Sequence, residues 1–212
     1  MAIAPSVQVI LDAGLDIVAT QDFDEVERLW PQTGRNKQSP MMCLSRHEFT
    51  QSNAFWLFLT EGGEAVGGIG VKYVDLVDEP FERYLRRISR IEYQRKTDPI
   101  KSIARPVLDR LGGKLIYMGE LEFRAESRGR IPVLRALVTL AKVLAASEWE
   151  DFQWMYAFIP TEHMRFAAAY GFTYSLPNAI TWNDPEPEGR LSSHWIIAMD
   201  RHSYLHTVTA KV

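Results

Sequence analysis

One cysteine in 212 residues, Cys43, leaves no partner for an intramolecular disulfide and no set for a multi-cysteine metal site. A reducing, cytoplasmic setting is the expectation. No stretch approaches the roughly 18 uncharged apolar residues of a membrane-spanning helix. The first residues, MAIAPSVQVILDAGLDIV, lack a basic start and carry Asp12 and Asp16, unlike a secretory leader. Neither sign of charge dominates: 24 Lys+Arg against 27 Asp+Glu leave a net charge of −3, so the balance gives no reason to expect nucleic acid. Internal repeats and low-complexity tracts are also missing. What remains is an ordinary globular composition, 46% hydrophobic and 24% charged, able to bury a core as one domain spanning residues 1–212.

Periodicity divides the chain. Residues 15–20 read as a strand, and Asp22 with Glu25 three residues on form a capping box that opens a helix closed by Pro31. Residues 31–52 read as a loop with room for a short helix. Residues 54–60 and 65–74 read as two strands joined by Glu61-Gly62-Gly63-Glu64 in a hairpin. Gly67, Gly68 and Gly70 inside its second strand predict a bulge or a close backbone approach. Strands are expected over 114–123, 152–159, 179–182 and 194–200. The strongest helix starts at Pro132 and shows Leu134, Leu137, Val138, Ala141, Leu144 and Ala145 on one stripe. A further helix, capped by Thr161, ends at Gly171. This order predicts an α+β fold with a mixed, mostly antiparallel central sheet flanked by helices, and a parallel crossover between residues 115 and 159.

Residues 80–114 stand apart as a basic helical insert. Between Phe81 and Lys114 there are ten Lys+Arg and four Asp+Glu, a local excess of +6 in a chain of −3. Phe81, Tyr84, Leu85, Ile88 and Ile91 form an apolar stripe, with Arg83, Arg86, Arg87 and Arg90 mainly off it. Three roles are open to that arginine face: solvated surface, steering of an anionic donor or an acidic carrier protein, or contact with a membrane surface.

The stretch with chemical content is strand, Arg128-Gly129-Arg130, long helix. A strand entering a tight turn and a helix start presents free N–H groups and the positive dipole end, an anion site that two arginines reinforce. Arg128-Gly129-Arg130-Ile131-Pro132-Val133 resembles the signature of the GNAT N-acetyltransferase superfamily, written Arg-Gly-x-Gly-x-Gly. Arg128 and Gly129 match, Ile131 and Val133 occupy the later small-residue positions, and Pro132 brings no N–H. Residues 162–172, ending Tyr170-Gly171-Phe172, resemble the family's fourth helix, with Ala167 where the family often carries a tyrosine acid. Element order extends the likeness over most of the chain outside the insert.

The resemblance implies acetyl-CoA or a longer acyl-CoA as donor, no metal, and a small-molecule amine as acceptor. The donor's pantetheine arm would run beside Leu121, Phe123 and Arg124, and its pyrophosphate over Arg128, Gly129, Arg130, Ile131 and Val133. Glu120 and Glu122, two apart on the strand, are the candidate carboxylates for deprotonating the amine, and His163 is a candidate acid or base. Tyr117 and Tyr170 are read as core packing near the cleft, and Cys43 as a structural thiol. Two alternatives stand beside the acyltransferase. One is a GNAT-shaped binding protein without catalysis, favoured by Ile131, Pro132, Val133 and Ala167. The other is an N-acyl synthase supplied by acyl carrier protein, since Glu120-Leu121-Glu122-Phe123-Arg124 is similar to the Glu-x-Ser-Arg of acyl-homoserine-lactone synthases.

Overall fold

A computed structural model describes residues 3–35 and 37–209. The chain runs α1 (Ile3–Asp12), β1 (Asp16–Thr20), α2 (Phe23–Leu29), three short 3-10 turns between Trp30 and Arg46, then the hairpin β2 (Ala54–Glu61) and β3 (Glu64–Asp75). After it come α3 (Phe81–Glu92), β4 (Ile100–Ile103), α4 (Arg105–Leu108), β5 (Lys114–Phe123) and α5 (Ile131–Glu148). β6 (Trp154–Ile159), α6 (Ala167–Tyr170), β7 (Tyr174–Leu176), β8 (Ile180–Trp182), β9 (Trp195–Asp200) and α7 (Arg201–Thr209) complete it.

Seven strands form a mixed sheet in the order β1-β2-β3-β5-β6-β9-β7, antiparallel throughout except at β5–β6. This is the α+β architecture the element order predicts. The β2–β3 turn holds Gly62 at φ +59° and Gly63 at φ +86°, the left-handed pair that a two-residue hairpin needs. β2 is apolar without alternation because both its faces are covered. Phe55, Leu57 and Leu59 face the α1 and α5 side, with Ile116, Leu137, Ala141 and Met155. Ala54, Trp56 and Phe58 face the opposite core, built from Val26, Leu85, Tyr156 and Trp182.

Several elements depart from the sequence reading. α1, β4, β7 and α7 carry no strong local pattern and owe their form to packing or pairing. The strand at Ala179 to Trp182 pairs with β4 in a separate two-stranded sheet rather than joining the main one. Thr161 caps no helix: it begins a 3-10 segment, and its hydroxyl donates to the Ser193 carbonyl (2.8 Å). Ile91 leaves the α3 stripe and is 49% exposed. At about 100° per residue, Glu92 falls nearer the Phe81 direction than Ile91 does, so a carboxylate takes the buried position. The α3 arginines are partly answered by neighbours, Arg86 by Glu82 (3.0 Å) and Asp98 (2.7 Å), and Arg87 by Glu79 (2.7 Å).

Candidate functional site

The glycines of β3 place the site. A Cβ on Gly70 would stand 2.7 Å from both Met42 Cε and Trp56 Nε1, and one on Gly67 2.7 Å from the Phe123 ring. Only glycine admits these approaches. Between Gly68↔Glu122 and Gly70↔Gly119 the register slips, so Glu120 and Leu121 of β5 oppose Ile69 alone. This is a β-bulge, and Glu120 takes φ +58°, a left-handed value rare for a side chain of its size.

The bulge bends β5 away from β6. The two pair only at Leu115↔Trp154, Ile116↔Met155 and Tyr117↔Tyr156 and then separate. From Met118 to Phe123, β5 has a ladder partner only in β3, so its alternate N–H and C=O groups face the opening. The opening holds a cleft of about 160 Å³ lined by Tyr117, Gly119, Glu120, Ala157, Arg190 and His194 among others. Through Leu121, His163 and Tyr170, which line both, it continues into a groove of about 400 Å³ beside the start of α5.

The groove carries the residues read from the signature. Leu121, Glu122, Phe123, Arg128, Gly129, Arg130 and Ile131 line it, joined by Arg165. Val133 is buried at the first turn of α5, facing the core. Gly129 holds φ +87° in open space, so it is needed for conformation rather than clearance. The Ile131 N–H donates to the Gly129 carbonyl (2.9 Å) and Pro132 has none, so this helix start offers fewer donors than a glycine-rich one. Arg128 is pinned, Nε to the Phe123 carbonyl and Nη2 to Glu122 Oε1, both at 3.0 Å, with its side chain 62% exposed. Arg124 turns away from the groove to the Gln32 carbonyl (2.6 Å) and Glu64 (3.0 Å). Arg165, stacked on Phe166 at 4.7 Å, is a groove cation the sequence reading missed.

Glu120 and Glu122 are brought together by a residue the sequence did not suggest. Arg35 places Nη1 3.5 Å from Glu120 Oε1 and Nε 3.4 Å from Glu122 Oε2. Glu120 is 8% exposed and takes the Ser39 N–H on Oε1. Burial raises its carboxyl above the ordinary range, against the pull of Arg35 and Ser39. Tyr117 and Tyr170 are buried core residues, as expected, and also line the cleft. Cys43 contacts the Ser45 hydroxyl (3.3 Å), and His47 Nε2 meets the Pro40 carbonyl (2.8 Å) instead of the thiol.

Behind the cleft lies a buried charged cluster. Lys72 of β3, Glu92 of α3 and Arg190 are each under a tenth exposed. Lys72 lies 5.6 Å over the Tyr117 ring. Glu92 Oε1 stands 3.6 Å from His47 Nε2. Burial pushes the Glu92 carboxyl up and the Lys72 ammonium down, while their mutual attraction opposes both shifts. Burial also lowers His47 and His194 to about 4. A lysine in an apolar strand and a glutamate on an apolar stripe were the sequence signals for this cluster. Among the described residues no group of His, Cys, Asp and Glu could hold a metal ion, and no helix is long and apolar enough to cross a membrane.

No protein-family model and no curated relative matches the chain. Solved structures follow a similar course. FeeM, an N-acyl amino acid synthase from uncultured soil microbes, is 15% identical over 88% of this chain and 91% of its own, with a TM-score of 0.47. Arabidopsis thaliana NAA60 in complex with acetyl-CoA is 11% identical over 89% and 99%, at 0.49. An acyl-CoA N-acyltransferase from Pseudomonas aeruginosa is 11% identical over 87% and 99%, at 0.47. The match to each of these structures runs along almost the whole of this chain, at 15% identity or less.

Proposed function

We propose that this chain is a divergent GNAT-type acyltransferase that moves an acetyl or longer acyl group from a CoA thioester to an amine. One observation carries the reading. β5 is bulged out of the sheet so that its free backbone edge leads into a groove that ends on a helix start among Arg128, Arg130 and Arg165. A ligand suited to this path has amides along its middle and anionic groups at one end. The pantetheine arm and phosphates of CoA have that order. The thioester would then lie in the cleft beside Glu120.

In the reaction the amine nitrogen attacks the thioester carbonyl, a C–N bond forms, the C–S bond breaks, the amine gives up a proton and the thiolate takes one. Glu120 is the group we assign to the first proton. It lines the cleft, and its raised pKa makes it a better base than an exposed carboxylate. His163 and Tyr170, at the junction of cleft and groove, stand where the departing thiolate would be. Glu122 holds Arg128 and Arg35 in place and is a positioning residue. A second reading, a binding protein that does not turn over, draws on Pro132 and on the prior engagement of Arg128.

Calorimetry with CoA, acetyl-CoA and longer acyl-CoAs, followed by mass spectrometry of an amine panel, tests both readings. Micromolar acyl-CoA binding with N-acylated product supports the enzyme. Binding without product supports the second reading. Absence of any CoA binding overturns the groove assignment.

A further inference from the structure

Arg190 is outside the groove assigned to the CoA phosphates, yet it occupies the inner wall of the cleft and of the apolar chamber behind it, between Leu85, Ile88, Ile180 and Trp182. It is 8% exposed. Its Nε donates to the Tyr93 hydroxyl (3.1 Å), and its guanidinium lies 5.4 Å over the Phe158 ring. Its Nη2 is buried and has no hydrogen-bond partner among the described residues. An orphaned, buried, charged donor is among the costlier groups a protein can hold.

The surrounding charges answer it only in part, because Glu92 is shared among several cations. Lys72 and Arg190 both act on Glu92, and Arg46 bonds the Glu92 carbonyl, so positive groups outnumber the carboxylate there. Glu120 is engaged by Arg35. Burial opposes the charge of Arg190, but Tyr93, Tyr117 and Glu92 more than offset it, and a guanidinium stays protonated. His194, beside it in both chambers, receives the Leu191 N–H on Nδ1 (3.5 Å), which leaves Nε2 as a donor. Arg190 and His194 thus line one cleft, where the cations acting on Glu92 outnumber its single carboxylate.

We propose that Arg190 is an anion receptor that holds a carboxylate of the reacting substrates at the inner end of the cleft. The inference rests on the acyl-transfer reading, because that reading places the reacting groups in this cleft. The CoA phosphates are assigned to the far side of the Leu121, His163 and Tyr170 junction. The carboxylate therefore belongs to the acceptor, as in an amino acid, or to the acyl group, as in a dicarboxylic thioester.

The test has two arms and two variants, Arg190→Met and Arg190→Lys. In the acceptor arm, leucine and phenylalanine are compared with leucinamide and phenylalaninamide, using acetyl-CoA. In the donor arm, succinyl-CoA is compared with acetyl-CoA. The carboxylate form should be preferred in kcat/KM by at least about 30-fold in one arm, and that arm identifies the source. Arg190→Met should bring the preference to within about threefold, mainly through KM, while Arg190→Lys keeps part of it. CoA affinity should not change in either variant. A purely structural arginine would lower stability without moving the preference. Equal use of both forms in both arms, or a preference that survives in Arg190→Met, overturns the proposal. If neither variant folds, absence of preference in the parent still overturns it. If the parent binds no acyl-CoA, the functional reading fails separately. Calorimetry of leucine and succinate against leucinamide on the protein alone then decides: carboxylate binding that depends on Arg190 supports the receptor, and its absence ends it.

Discussion

Glu120 combines three unusual properties in one residue: a left-handed backbone, burial, and a carboxyl held above its ordinary range. Glu120→Gln keeps the volume and removes the charge. It should lower kcat by about 10²-fold or more while leaving CoA affinity within twofold, measured by steady-state kinetics and calorimetry. The parent's kcat/KM should rise with pH through a point above the usual carboxylate range, because the base acts deprotonated, and the variant's profile should lose that limb. Arg128 should matter less than a free arginine would, since binding a phosphate only exchanges Glu122 and the Phe123 carbonyl for a new acceptor. Arg128→Ala should weaken CoA by about 1 kcal/mol, roughly fivefold. Glu120, Glu122, Arg128 and His163 were legible as candidates because local patterns place them on a strand, a turn and a helix start. Arg35, Arg165 and Arg190 were not. They reach the site from loops and short turns, where no period encodes direction.

At the scale of elements, the bulge in β5 decides whether a cleft exists. The β3 glycines announced an irregularity in the sequence, but they sit on the regular strand and the extra residue is in its partner. Sequence shows that a close approach is needed, while register is settled only when two strands meet. Deleting Leu121 leaves one residue opposite Ile69 and restores a regular ladder. The shortened strand should lie closer to β6, and the protein should remain folded by circular dichroism yet bind CoA at least tenfold more weakly. The hairpin, β5, α5 and the parallel crossover were readable because each carries its own turn chemistry or apolar stripe. β4, and the pairing of β8 with it outside the main sheet, were not readable, because each strand is short and finds its partner some eighty residues away.

For the whole molecule, two cores packed on opposite faces of one sheet leave buried ionisable groups on the α3 side. His47 titrates near 6.5 when unfolded and at about 4 when folded. The unfolded chain therefore binds more protons between those values, and stability is lost as pH falls from 6.5 to 4. At about 1.4 kcal/mol per unit, His47 alone contributes up to about 3 kcal/mol to this loss. Glu92, raised in the folded state, works in the opposite sense. Denaturant melts of the parent and His47→Gln over this range should show a shallower acid slope in the variant.

The three residue pairs joining β5 to β6 also bear on how the sheet opens. Among the described residues they are the only ladder between β1-β2-β3-β5, all from the first 123 residues, and β6-β9-β7, all from residue 154 onward. Beyond Tyr117 and Tyr156 the two half-sheets are parted, so amides along both lips, residues 118–123 and 157–159, sit at the end of a short zip. A ligand laid between the lips supplies the missing rung to both. Amide hydrogen exchange should then slow together on the two sides when donor binds, although the segments are far apart in sequence and do not bond each other. A donor held by the helix start alone would protect only the turn at 128–131. The spread of protection thus tells whether the ligand merely docks or also works as a strand.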